Sequence, residues 1–189
     1  MSGKPPLVWG PLVWRWLHSV AARWDAGGAV DDNAAVRFFA ELRAVLPCKY
    51  CRDSYTEFFK HMKPALRLQA SHGQLQQWTY AVHHYVNLKL NKSSPSFEAV
   101  QALYATPQTG VDDPMWPALF AIALNYDDSG VADRCLHHRR FLLAAADVYG
   151  AFGAVRTSRA LQRAGDGCRG HGICKTSLVT LIQRAFLEQ

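Results

Sequence analysis

From Trp9 to about Trp24 the apolar and aromatic residues Val13, Trp14, Trp16, Leu17, Val20 and Ala21 recur at intervals of three and four, the spacing of one face of an amphipathic helix. Pro11 falls in the first turn, where its missing N–H is tolerated. Gly27 and Gly28 break the chain, and Asp31, Asp32 or Asn33 can cap a second helix. Its apolar positions run Val36, Phe39, Ala40, Leu42 and Leu46 before Pro47 stops it. A third helix is expected to start within "CKYC", residues 48–51, and to run through Tyr55, Phe58 and Phe59 to about Met62, ahead of Pro64. The fourth has the clearest pattern. Ser71 and Gln74 have the spacing of a capping box, and Leu75, Trp78, Val82, Tyr85 and Lys89 form one stripe. Ser96 to Tyr104 reads as a short fifth helix.

The stretch "TPQTGVDDP", residues 106–114, has the prolines, glycine and acidic pair of a linker. Beyond it three helices are expected, over Met115–Tyr126, Asp133 to about Ala154, and Ser177–Leu187, with a glycine-rich loop, "AGDGCRGHGIC", before the last. No period-two strand bounded by turn residues is evident. The expected fold class is therefore all-α: a tail over residues 1–8, a first domain over 9–106, a linker over 107–114 and a helical C-terminal domain over 115–189. Trp116, Leu119, Phe120, Ile122, Phe141, Leu142 and Leu143 are expected to form a helical core there or to pack on the first domain or a second subunit.

Composition narrows the function. The chain has 189 residues with 49% hydrophobic positions and six tryptophans, enough to bury a core. A net charge of +6 would suit an anionic partner. The Lys and Arg residues are scattered, however, and the one dense cluster, His137 to Arg140, spreads over every helix face, so nucleic acid is not an expected partner. The opening "MSGKPPLVWGPLVW" lacks the pattern of a secretory signal, and no apolar run approaches the roughly twenty residues of a membrane span. A soluble protein without a membrane partner is expected.

The five cysteines stand at 48, 51, 135, 168 and 174, too few and too dispersed for a disulfide-framework domain. Cys48 and Cys51 sit at a predicted helix start, where first-turn N–H groups and the helix dipole favour a thiolate and make the pair competent for exchange. Zinc is the competing reading, but a structural site needs four ligands, and the nearest candidates, His61 and His72, are isolated. Without strands a thioredoxin-like fold is disfavoured. Trp14 and His18 share a face of the first helix, and His83, Asn87 and Leu90 share one of the fourth, with Lys89 and Lys92 near its end. Such a set suits a planar heterocycle with a phosphate-bearing tail.

In order, "WRWLH" (14–18), "PCKYC" (47–51) and "WTYAVHHYVNLKLNK" (78–92) resemble the Erv/ALR family of FAD-linked sulfhydryl oxidases, over about residues 9 to 104. The resemblance implies a four-helix bundle with a short fifth helix, FAD as cofactor, and a homodimer. It implies FAD contacts from Trp14, His18, Cys51, His83, Val86, Asn87, Lys89 and Lys92. It also makes Cys51 the thiolate that lies against the flavin and attacks it, and Cys48 the thiol that exchanges with incoming electrons. Protein thiols, a thioredoxin-like carrier and O2 are the implied partners, with H2O2 as product. The chain departs from the pattern in two places: His84 stands where the family often has Asn, and "NKSSPSFEAV" holds no cysteine for the extra structural disulfide of many members.

Members of this family commonly relay electrons through a second, flexible cysteine pair. Cys168 and Cys174, flanked by Arg169 and His171 in a pliable loop, suit a shuttle, a structural disulfide or, with His171, a zinc site. Cys135 reads as a free buried thiol in a helix. The added C-terminal helices are similar in plan to those of members from large DNA viruses, which would place the protein in host cytoplasm or the virion. A cellular member would belong in the mitochondrial intermembrane space. A zinc-stabilised helical interaction module remains the alternative function.

Overall fold

A computed structural model describes residues 6–27, 32–126, 134–168 and 175–188. Among these residues all regular structure is helical, as the hydrophobic spacing predicts. Four helices form the bundle: α1 (Pro6–Gly27), α2 (Asp32–Val45), α3 (Lys49–Ser71) and α4 (Leu75–Lys89). The short α5 (Phe97–Leu103) leans on α4, its first turn capped by Ser96, whose hydroxyl accepts from the Ala99 N–H at 3.2 Å. A 3-10 turn at Gly110–Asp112 then leads to α6 (Met115–Asn125), α7 (Arg134–Ala151), α8 (Val155–Gly167) and α9 (Lys175–Leu187). None of the described helices is long and apolar enough to cross a membrane.

Two helix limits and one helix cap differ from the sequence expectation. α1 begins at Pro6, so Pro11 lies in its second turn. α3 does not stop before Pro64 but continues to Ser71. An interior proline costs a helix about 3 kcal/mol. Fully buried Leu66 and Ala70 offset that cost, and the Trp24 indole donates to the Ala70 carbonyl at 3.1 Å. At the start of α4 the Ser71 capping box is not what holds the first turn. Asp25, at the end of α1, accepts from the Leu75 N–H at 2.8 Å and the Gln76 N–H at 3.0 Å.

The C-terminal region contains a helix the sequence reading missed. α8 covers "VRTSRALQRAGDG", so Gly165 and Gly167 are helical and not part of a loop. Gly153, at φ +71°, makes the left-handed turn that joins α7 to α8. α6 packs on α1, α7 on α2 and α8, and α9 on α6 and α8. Trp16 of α1 shows how this works: its ring meets Phe38 of α2 at 5.1 Å and Phe141 of α7 at 5.6 Å, both edge on. One hydrophobic cluster therefore spans α1 to α4 and α6 to α9.

A buried polar network reinforces that junction. Asp113, just before α6, accepts from the Tyr149 hydroxyl at 2.7 Å and the Met115 N–H at 2.9 Å. The Trp16 indole donates to the Tyr149 oxygen at 3.2 Å. Arg23 stands 3.8 Å from Asp113 and lies over the Phe152 ring. Burial raises the Asp113 carboxyl pKa, opposed by the Tyr149 and Met115 hydrogen bonds and by Arg23.

Candidate redox and cofactor site

The cysteine motif begins where Pro47 ends α2. Cys48 occupies the position before α3, and its carbonyl accepts from both the Cys51 and Arg52 N–H groups at 3.0 Å. That turn fixes the two sulfurs on one side. The Cys51 N–H also approaches the Cys48 sulfur at 3.4 Å. Both thiols are free, half-buried and packed against the hydrophobic core. Between them Tyr50 is 79% exposed, so the motif meets solvent on its outer side.

Electrostatics at Cys51 overturn one expectation. Burial pushes its thiol up to about 12, the neighbouring Cys48 thiol adds to the rise, and Arg52 only partly opposes it. Desolvation is the largest influence, above the lowering by Arg52 and by the Cys51 backbone N–H. Arg52 is itself committed elsewhere, donating to the Leu46 carbonyl at 2.7 Å and lying 5.2 Å from the Tyr126 ring centroid. Tyr126 in turn donates to the Ala44 carbonyl at 3.1 Å. The end of α6 therefore buttresses the corner that carries the cysteines.

A second cluster forms where α1, α4 and α5 converge. The Trp14 indole stacks on His83 with centroids 3.9 Å apart and planes inclined by 4°. His18 Nε2 and His83 Nδ1 are 2.9 Å apart, one donating to the other. Tyr104 stacks on His18 at 5.2 Å. Burial lowers the His18 pKa to about 3, with His83 adding to the effect. It lowers His83 to about 4, helped by Lys92. Both rings are neutral at pH 7.

The remaining residues expected to bind a cofactor divide between two places. Asn87 donates to the Ser94 hydroxyl at 3.1 Å, and the same oxygen lies 3.0 Å from His84 Nδ1. Asn87 is thus directed to the loop after α4. Lys89 reaches across to α3, donating to Ser54 at 2.6 Å and lying 6.0 Å from the Phe58 ring centroid. It lines a groove of about 630 Å³ with Asp53, Ser54, Glu57, Phe58 and Tyr85, one turn beyond Cys51. Val86 is half-buried, and Lys92 is exposed.

These groups fit a planar, phosphate-bearing cofactor. Stacked rings and neutral imidazoles offer flat faces and hydrogen bonds, and Lys89 and Lys92 supply cations at the end of the same helix. Thr79, one turn before His83, has a fully buried hydroxyl with no hydrogen-bond partner. Such a group costs about 1–3 kcal/mol if left unsatisfied. Sequence reasoning missed Thr79, Tyr104 and Ser94. Only Thr79 carried a signal, its four-residue spacing to His83.

Among the described residues no group of three or more His, Cys, Asp or Glu side chains stands close enough to hold a metal ion. Cys168 closes α8, while Cys174 and His171 lie outside the described residues. Cys135 is half-buried and its thiol contacts Cys168.

A protein of African swine fever virus named "FAD-linked sulfhydryl oxidase" is 35% identical over 99 residues, spanning 52% of this chain and 81% of the relative. One of Acanthamoeba polyphaga mimivirus, named a probable FAD-linked sulfhydryl oxidase, is 29% identical over 103 residues, 53% of this chain and 72% of the relative. One of invertebrate iridescent virus 3, named a putative FAD-linked sulfhydryl oxidase, is 27% identical over 106 residues, 56% and 71% of the two chains. No solved structure matches the chain. The Erv1 / Alr family model matches residues 11–105, a span that holds the cysteine pair, the Trp14–His83 stack and all of α1 to α5 from Pro11 onward. The chain belongs to the Erv1 / Alr family.

Proposed function

We propose that this chain is an FAD-linked sulfhydryl oxidase that forms disulfides in thiol-bearing proteins. The observation that carries the reading is the pairing of the close-set Cys48–Cys51 turn with the Trp14–His83–His18 cluster, in a member of this family whose viral relatives bear that name.

In the oxidised enzyme a substrate thiolate attacks Cys48 and Cys51 leaves as thiolate. The substrate's second thiol then displaces Cys48, so that two substrate thiols become one disulfide and both cysteines are reduced. Arg52, beside Cys51, eases the departure of negative charge. When bound, FAD would supply a two-electron acceptor for the reduced pair that can be reoxidised by O2 with release of H2O2. Trp14, His18 and His83 would hold its flat rings, and Lys89 and Lys92 its phosphates, with Val86 and Asn87 alongside. Cys51 is the residue we assign to the cofactor side and Cys48 to the substrate side.

The oxidase unit of this proposal is residues 9–106, joined through 107–114 to the helices of 115–189. A homodimer and a thioredoxin-like carrier are part of the reading. α6 and α7 cover faces of α1 and α2, so a dimer would form through other surfaces. The viral relatives favour host cytoplasm or the virion over the mitochondrial intermembrane space. The test is oxygen uptake by the purified yellow protein with dithiothreitol. One H2O2 per disulfide formed is expected, and a colourless protein that consumes no oxygen would refute the reading.

A further inference from the structure

Cys135 lies in the first turn of α7 and Cys168 at the end of α8, so the antiparallel hairpin brings the two together at its open end. The Cys135 thiol donates to the Cys168 main-chain carbonyl, and the two thiols also interact with each other. The contact follows from the way the hairpin is built. Gly165 lets α8 lie directly on α7, because a Cβ there would stand 3.2 Å from Leu143 Cδ2 and 3.4 Å from the Arg139 carbonyl. Gly167 does the same toward α9, where a Cβ would fall 2.5 Å from Leu181 Cδ2. Arg139 and Asp166 bridge the helices at 3.5 Å, and further along the Ser158 hydroxyl donates to the Ala146 carbonyl at 2.8 Å. These contacts step along the hairpin in one register, and the cysteines occupy its last rung.

We propose that Cys135 and Cys168 form a disulfide that locks the open end of the α7–α8 hairpin. Cys168 is 2% exposed, whereas Cys135 is half-buried, so Cys135 meets the oxidant. With a glutathione-type disulfide as oxidant, the Cys135 thiolate attacks one sulfur, forming a mixed disulfide and releasing one glutathione thiol. Cys168 then attacks the Cys135 sulfur, the mixed disulfide breaks, and a second glutathione thiol leaves. Two protein thiols are oxidised and one small disulfide is reduced. The bond closes a long loop, from residue 135 to 168, and constrains the unfolded chain accordingly. It also takes Cys168 out of any pairing with Cys174.

Trypsin separates all three later cysteines: Cys135 falls in residues 135–139, Cys168 in 164–169 and Cys174 in 170–175. The full chain would be incubated with oxidised glutathione, quenched in acid, alkylated in denaturant, digested without reduction and analysed by mass spectrometry. The expected product joins 135–139 to 164–169, with residues 170–175 outside that cross-link. Oxidation should also raise the melting temperature by several degrees, a rise absent in a Cys135→Ser variant whose turnover with dithiothreitol is unchanged. A cross-link between 164–169 and 170–175, or Cys168 recovered fully alkylated, would overturn the assignment.

Discussion

His18 of α1 and His83 of α4 meet nitrogen to nitrogen at 2.9 Å, and burial lowers both pKa values, to about 3 and about 4. Two imidazoles this close cannot both be protonated, because the shared hydrogen bond needs one nitrogen as acceptor. Their contact joins the two helices that carry the proposed cofactor contacts, so acid should act on the fold and the site together.

The sign of the pH effect follows from linkage. The unfolded chain takes up protons on these rings near pH 6.5, while the folded chain resists until about pH 4 or below. Stability is therefore full above pH 6.5 and falls as pH drops from there toward about 4, by up to roughly 1.4 kcal/mol per pH unit for each ring. Urea midpoints measured from pH 7.5 to 4.5 should show this decline, and a His18→Asn/His83→Asn variant should show a flatter one. Equal slopes in the two proteins would remove the histidine pair from the account.

Tyr149→Phe should destabilise the chain by about 2 kcal/mol, because it strips the buried Asp113 carboxylate of a donor and the Trp16 indole of its acceptor. Since that network ties α1 to α7, chemical denaturation should remain a single transition with a lower midpoint. Loss of only the C-terminal helices at low denaturant would show that they are held less firmly than the buried network implies.

Asp25→Ala should cost about 1–2 kcal/mol, the usual worth of a helix cap, by freeing the Leu75 and Gln76 N–H groups. A matched Ser71→Ala variant tests the local capping box. The larger loss is expected at Asp25, and the reverse order in thermal melts would restore the capping box.

Much of this arrangement is written locally in the chain. The three- and four-residue spacing places Trp14 with His18 and Trp78 with Val82, and helix periodicity needs no tertiary information. What escaped prediction depends on distant partners. The cap of α4 comes from Asp25, fifty positions away; α3 survives Pro64 because Leu66 and Ala70 are buried; and Gly165 and Gly167 look like loop residues until Leu143 and Leu181 are seen against them. The depressed helix-start pKa expected for Cys51 failed for the same reason, since desolvation by the surrounding core is a tertiary effect. Cys135 and Cys168 are likewise joined by a hairpin whose second helix the sequence reading did not recognise.

The most direct test of the central claim compares wild type with Cys51→Ser, recording the visible spectrum and oxygen uptake with dithiothreitol on the same preparations. The account predicts yellow protein in both cases, because the cofactor contacts do not depend on that thiol alone, with turnover in wild type and a loss of at least a hundredfold in the variant. Substantial oxidase activity in Cys51→Ser, or a wild-type protein without flavin, would contradict it.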